Sequence, residues 1–150
     1  MKKMSYRRLL GMMLLSFVSM YVLMYAMVDS FANVYTSFNQ FYMAGLMAAP
    51  MLIIELALMG SMYPSKKTNA LLMLAGVIAL ALFWLLIRQQ TAINDRQFLK
   101  SMIPHHAGAI LMCNKASLHD AQIQELCRTI TAGQQAEIDQ MKTILGELQK

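Results

Sequence analysis

Three long apolar runs constrain this chain more than any other feature of it. Leu9 to Val28 reads LLGMMLLSFVSMYVLMYAMV and carries no charge. That is about the 20 residues a helix needs to cross the hydrocarbon core of a bilayer. Phe41 to Tyr63 is interrupted only by Pro50 and Glu55, and Ala70 to Ile87 has Trp84 near its end, just before Arg88. Tryptophan close to a span end suits the interfacial aromatic belt. A secretory signal has a shorter apolar region, roughly 7–15 residues. The first run therefore reads as an anchor, with cleavage near Ser30-Phe31-Ala32 as the alternative. Hydrophobic residues make up 57% of the chain and charged residues 14%, against about a quarter charged in a soluble domain.

The formal charge of +5 is distributed as a topology signal. Lys2, Lys3, Arg7 and Arg8 precede the first run, Lys66 and Lys67 separate the second from the third, and residues 29–40 hold neither Lys nor Arg. Basic residues gather on the cytoplasmic side. The expectation is a cytoplasmic tail at 1–8, a membrane domain at 9–87 with spans 9–28, 41–63 and 70–87, and an extracytoplasmic domain at 88–150. In a bacterium that places the chain in the inner membrane with its C-terminal domain in the periplasm. There is no basic stripe with interleaved aromatics, so nucleic acid is not an expected partner.

The polar tail shows helical spacing throughout. Asp95 is a candidate N-cap, and apolar residues follow at Phe98, Met102, Ala109, Ile110, Cys113 and Ala116. Leu118-His119-Asp120 reads as a break, with Asp120 capping a second helix from about Ala121 to Leu148. Its stripe is Ile123, Leu126, Ile130, Ile138, Met141, Leu145 and Leu148. Pro104 predicts a kink or restart in the first helix. A turn near residue 119 pairs residues whose numbers sum to about 240 at helical rise. Cys113 then faces Cys127, His106 faces Gln134, Met102 faces Glu137 and Ile138, and Phe98 faces Met141. At about 100° per residue, His105, His106, Gln134 and Glu137 fall within the apolar stripes, where polar groups need partners. The fold class is all-α: three transmembrane helices followed by an antiparallel two-helix hairpin. So small a hairpin is marginal alone, which predicts either a homodimer or higher homo-oligomer that completes a four-helix bundle or packing of the hairpin on its own spans.

Met102 and His106 are four apart and share a helix face, so they can chelate one ion. His105 points about 100° away from His106 and pairs better with Met112. Gln134, Glu137 and Met141 complete a possible shell from the second helix. Thioether with imidazole favours Cu(I), and Cu(II) prefers the imidazole and carboxylate share. Zinc rarely takes methionine and ranks behind copper. The competing reading is a pair of histidines that hydrogen bond to Gln134 and Glu137 and hold no ion.

The stretch Phe98 to Leu145, with Met-Ile-Pro-His-His-Ala-Gly-Ala-Ile-Leu-Met-Cys and later Gln134-x-x-Glu137-Ile138-x-x-Met141, resembles the bacterial family catalogued as domain of unknown function 305. The resemblance implies a ferritin-like helical bundle and copper binding through Met102, His105, His106 and Met141, with Gln134 and Glu137 secondary. It implies storage, delivery or resistance, and a copper donor or acceptor protein as partner. A departure is the single hairpin on a membrane anchor, where copper-binding members are often soluble.

Cys113 and Cys127 are a disulfide candidate, since the expected compartment is oxidising. Closing a loop of about 15 residues is worth on the order of 3 kcal/mol. Free core thiols and Cu(I) thiolate ligands are the alternatives. Methionine accounts for 16 residues. In the second run Met43, Met47, Met51, Glu55 and Met59 are each four apart, a row that could pass Cu(I) across a bilayer in a transporter or channel subunit, or simply pack. An ionisable residue such as Glu55 within a span is usually paired or functional. No nucleophile–base pair and no phosphate-binding loop is present, so no enzyme activity is expected. A metal-free structural or sensory membrane module is the remaining alternative.

Overall fold

A computed structural model describes residues 5–148 of the chain; Lys2 and Lys3 of the expected basic tail lie outside the described residues. These form five α-helices, α1 (Tyr6–Leu23), α2 (Phe38–Met59), α3 (Lys66–Arg88), α4 (Asp95–Lys115) and α5 (Ala121–Glu147), with short 3-10 turns at Met24–Met27, Phe31–Asn33 and Gly60–Met62. The chain divides into two compact units. One takes the chain through Met24 together with Asn39–Thr91; the other takes Tyr25–Phe38 together with the chain from Ala92 onward.

Among the described residues three helices are long and apolar enough to cross a membrane: Tyr6–Met27, Phe38–Met62 and Lys66–Arg88. They begin three or four residues before the apolar runs at 9, 41 and 70. Apolarity marks where a span is greasy, whereas capping marks where a helix starts. The Ser5 hydroxyl accepts from the Arg7 amide and the Ser65 hydroxyl from the Thr68 amide, so Arg7, Arg8, Lys66 and Lys67 are already helical. The apolar side chains of α1 and α3 are largely exposed, Leu15 at 71% and Leu71 at 66%, a surface suited to lipid. Small residues let α2 and α3 approach closely. A Cβ on Gly45 would run into the Phe83 ring, and one on Gly76 would come within 3.0 Å of Ile53.

The methionine row on α2 does not follow one path. Met43 and Met47 are exposed, Met51 is half-buried, and Met59 packs on a cluster built by Leu9, Leu56 and Tyr63. Glu55 is paired: the Tyr63 hydroxyl donates to its Oε1 at 2.8 Å.

The second unit is larger than the expected 88–150 domain. Its core is Leu99, Ile103, Ala107 and Ile110 from α4 with Ile138, Met141 and Leu145 from α5, and Val28, Tyr35 and Met102 pack against it. Val28 and Tyr35 come from the segment between α1 and α2. That segment is held by the Tyr25 hydroxyl on the Tyr35 carbonyl at 2.8 Å and by the Phe38 amide on Gln97 Oε1 at 2.9 Å. The Met27 carbonyl lies 3.4 Å from where a Cβ on Gly108 would stand. Tyr35→Ala is therefore expected to loosen α4 and α5 by roughly 1–3 kcal/mol of lost packing, read as reduced amide hydrogen-exchange protection of both helices in the full-length protein.

The helix ends and the buried faces correct several expectations. Asn94, not Asp95, caps α4, accepting from the Gln97 amide at 3.0 Å; Asp95 is the first helical residue, where an acid suits the helix dipole. Asp120 caps α5 as its sequence context indicates, accepting from the Gln122 and Ile123 amides at 2.9 and 3.0 Å. Pro104 lies inside an unbroken α4, so the helix does not restart there. The buried face of α4 centres near Ile103, not Met102. Phe98 is half-exposed, and on α5 Ile123, Leu126 and Leu148 are exposed.

Candidate metal centre

His106 is the polar residue on the buried face of α4, at 9% exposure. Relative to Ile103 it lies about 60° round the helix, close enough to the core to lose solvent on one side. Its Nδ1 sits 2.9 Å from the Met102 carbonyl oxygen, one turn back on the same helix. A carbonyl only accepts, so Nδ1 carries the proton. That leaves Nε2 as the working atom, and it lies 2.8 Å from Glu137 Oε2.

Two chemical states satisfy this geometry. With a second proton on Nε2 the ring is an imidazolium donating to the Glu137 carboxylate. With the proton on Glu137 instead, a neutral Nε2 accepts from the carboxyl group, and its lone pair is the one a metal ion would take. Metal-bound histidines characteristically donate their other ring N–H to a carbonyl or carboxylate, which fixes the tautomer and the ring plane. The Met102 carbonyl would fill that role for a metal ion on Nε2.

The pairing with Glu137 corrects the expected facing of His106 with Gln134. The disulfide shows that the level count holds at residues 113 and 127. The difference lies in the direction of the side chains. Every Cα–Cβ bond leans toward the N-terminus of its own helix. In an antiparallel pair His106 leans away from the turn while Glu137 leans toward it, and the two tips meet although their Cα atoms are not level. Gln134 is half-buried on the same side of α5.

Met141 is buried at 9% exposure, and Met102 packs on the same core. His105 and Met112 are not part of this group. His105 is exposed, its ring 6.0 Å from that of His106 in an edge-on arrangement, and Met112 is 54% exposed. The reason is helical phase: His105 lies about 160° from Ile103, on the outward face, rather than inside the apolar stripe. Among the described residues, no three His, Cys, Asp or Glu side chains converge. Candidate sulfur donors for a larger shell are Met102, one turn before His106, and Met141, one turn after Glu137.

Cys113 and Cys127 are joined as a disulfide across α4 and α5, with Cα atoms 5.3 Å apart. It ties the helices together seven residues from His106, two turns along α4. It shares its level with an open cleft of about 850 Å³ lined by Asp29, Ile110, Asn114, Arg128 and Gln135 among others.

Residues 57–145 match the family described as Domain of unknown function (DUF305). The match extends well beyond Phe98–Leu145, reaching back through α3 to the end of α2. An uncharacterized protein of Acanthamoeba polyphaga mimivirus is 34% identical over 144 residues, covering 93% of this chain and 91% of that protein. No solved structure matches. The length of chain matched, and a relative alike from the first apolar helix to the hairpin, together show that this chain belongs to the DUF305 family.

Proposed function

We propose that this protein is a membrane-anchored copper-binding protein, holding Cu(I) on its hairpin for storage, delivery or resistance. The observation that carries the reading is the orientation of His106, with Nδ1 fixed by the Met102 carbonyl and Nε2 directed to Glu137. His106 Nε2 would supply the nitrogen ligand, and Met102 and Met141 the thioethers. Sulfur donors of this kind select Cu(I) over hard cations, and Glu137 would balance charge or ligate Cu(II). The three apolar helices would be the anchor. The basic residues at Arg7, Arg8, Lys66 and Lys67, set against a 29–40 segment without any, support a cytoplasmic N-terminus. The hairpin then lies on the opposite side, together with the segment 25–38 that packs on it. The exposed Ile123 and Leu126 offer a face to a second copy of the chain, which supports a homodimer.

The thioethers provide the test of oxidation-state preference. Met102→Leu with Met141→Leu keeps apolar volume and removes sulfur. In the full-length protein in detergent, Cu(I) affinity is expected to fall about tenfold or more, in the range that shell changes at metal sites produce, while Cu(II) affinity falls less. Competition against a Cu(I) chelator and a Cu(II) chelator reads the two. Equal affinities in the variant and the parent would overturn a thioether site.

A further inference from the structure

We propose that Cys113 and Cys127 are a second soft-metal site, closed while they are disulfide-bonded and opened by reduction to take one Cu(I) ion between two thiolates. The bond itself shows that the two sulfurs converge from facing helices, their Cα atoms 5.3 Å apart. Neither sulfur depends on a flexible segment. Cys113 lies inside α4, which continues to Lys115, and Cys127 lies inside α5, which begins at Ala121.

Reduction does not remove what holds the helices side by side. The buried core runs from Leu99 to Ile110 on α4 and from Ile138 to Leu145 on α5, and neither cysteine belongs to it. Rotation about the two Cα–Cβ bonds can part the sulfurs without moving a helix. An ion bound between them needs two metal–sulfur bonds of roughly 2.3 Å each, the length found for thiolates on zinc. That places the sulfurs roughly 4–5 Å apart, a span that helices this close can hold. Thiolate donors suit a monovalent soft ion, and a pair suffices for two-coordinate Cu(I), whereas structural zinc takes four ligands. Both cysteines are half-buried and line the open cleft, so reductant and ion have a way in.

The chemistry balances with a small-molecule thiol as reductant. Two external thiols reduce the Cys113–Cys127 bond by exchange through a mixed disulfide, giving two protein thiols and one external disulfide. Cu(I) then replaces the two thiol protons, which pass to solvent, and copper does not change oxidation state.

The test titrates Cu(I) into the full-length protein in detergent, without oxygen and against a chromogenic chelator, before and after thiol reduction and removal of the reductant. One more ion per chain is expected after reduction. That ion is lost in the Cys113→Ser, Cys127→Ser double variant and after thiol alkylation, and it persists in His106→Ala. Bound Cu(I) should also protect both thiols from iodoacetamide. No added ion, alkylation at the unbound rate, or loss of hairpin helicity on reduction would each overturn the site; an added ion that disappears in His106→Ala would overturn its independence. Binding by the oxidised protein reports on His106 alone, so failure of either site is seen separately.

Discussion

Replacing His106 by alanine should lower the Cu(I) affinity of the full-length protein by about a hundredfold or more, beyond the 10–100-fold that supporting residues of metal sites typically cost. Replacing the adjacent His105 should leave it within about twofold, because an outward residue roughly 160° from the core cannot share the ion. The contrast is demanding, since the motif presents the two histidines side by side. It follows from the Met102 carbonyl, which holds the His106 ring, and from the exposure of His105. Competition with a Cu(I) chelator measures both variants. A comparable loss in His105→Ala would mean that α4 rotates or that a second chain supplies the other half of the site. Glu137→Gln adds a second readout. An ion arriving at Nε2 must displace the proton shared between His106 and Glu137, since metal and proton compete for the same lone pair. Titration in weak buffer should therefore release about one proton per ion from the parent. Glutamine at 137 replaces the carboxylate that meets Nε2 with a neutral amide, and the release should change. Unchanged proton release in that variant would exclude the His106–Glu137 contact as the source of the proton.

Much of this architecture is written in local chemistry, and the parts that were not share a cause. The three apolar helices follow from hydrophobic length, the start of α5 from Asp120, and the facing of Cys113 with Cys127 from counting outward from the turn. Each depends on residues near one another in sequence or on a simple period. The packing of Val28 and Tyr35 on the hairpin depends on neither. Val28 is the last residue of the first apolar run, and Tyr35 stands in the polar segment DSFANVYTSFNQ; neither belongs to a period that announces a distant partner. His105 falls on the outward face because the buried face of α4 is centred on Ile103, with Met102 at its edge. Leu99, Ile103, Ala107 and Ile110 repeat every three or four residues and set that centre. The partner of His106 required one thing more than phase: the lean of the side chains along their helices, which brings Glu137 into reach where a level count indicates Gln134.

Ile138→Ala should be the most damaging single change to the second unit, costing about 2–5 kcal/mol. Ile138 and Ile103 are the two largest side chains removed fully from solvent, and they stand on facing helices in one small cluster. Truncation forfeits the transfer energy of the lost methylenes and leaves a void that two disulfide-linked helices cannot easily close. Small domains hold only about 5–15 kcal/mol in total, so a loss of this size should abolish slow hydrogen exchange across both α4 and α5 even with Cys113–Cys127 intact. Ile123→Ala is the matched comparison: the same chemistry on the same helix, but with the side chain 48% exposed, where changes usually stay within about 0.5 kcal/mol. Hydrogen exchange on the full-length protein in detergent reads both. A large effect at Ile123 would reveal a partner covering that face. A small effect at Ile138 would place the centre of the hairpin core elsewhere, and with it the rigid support that the His106–Glu137 pair needs to hold a metal ion.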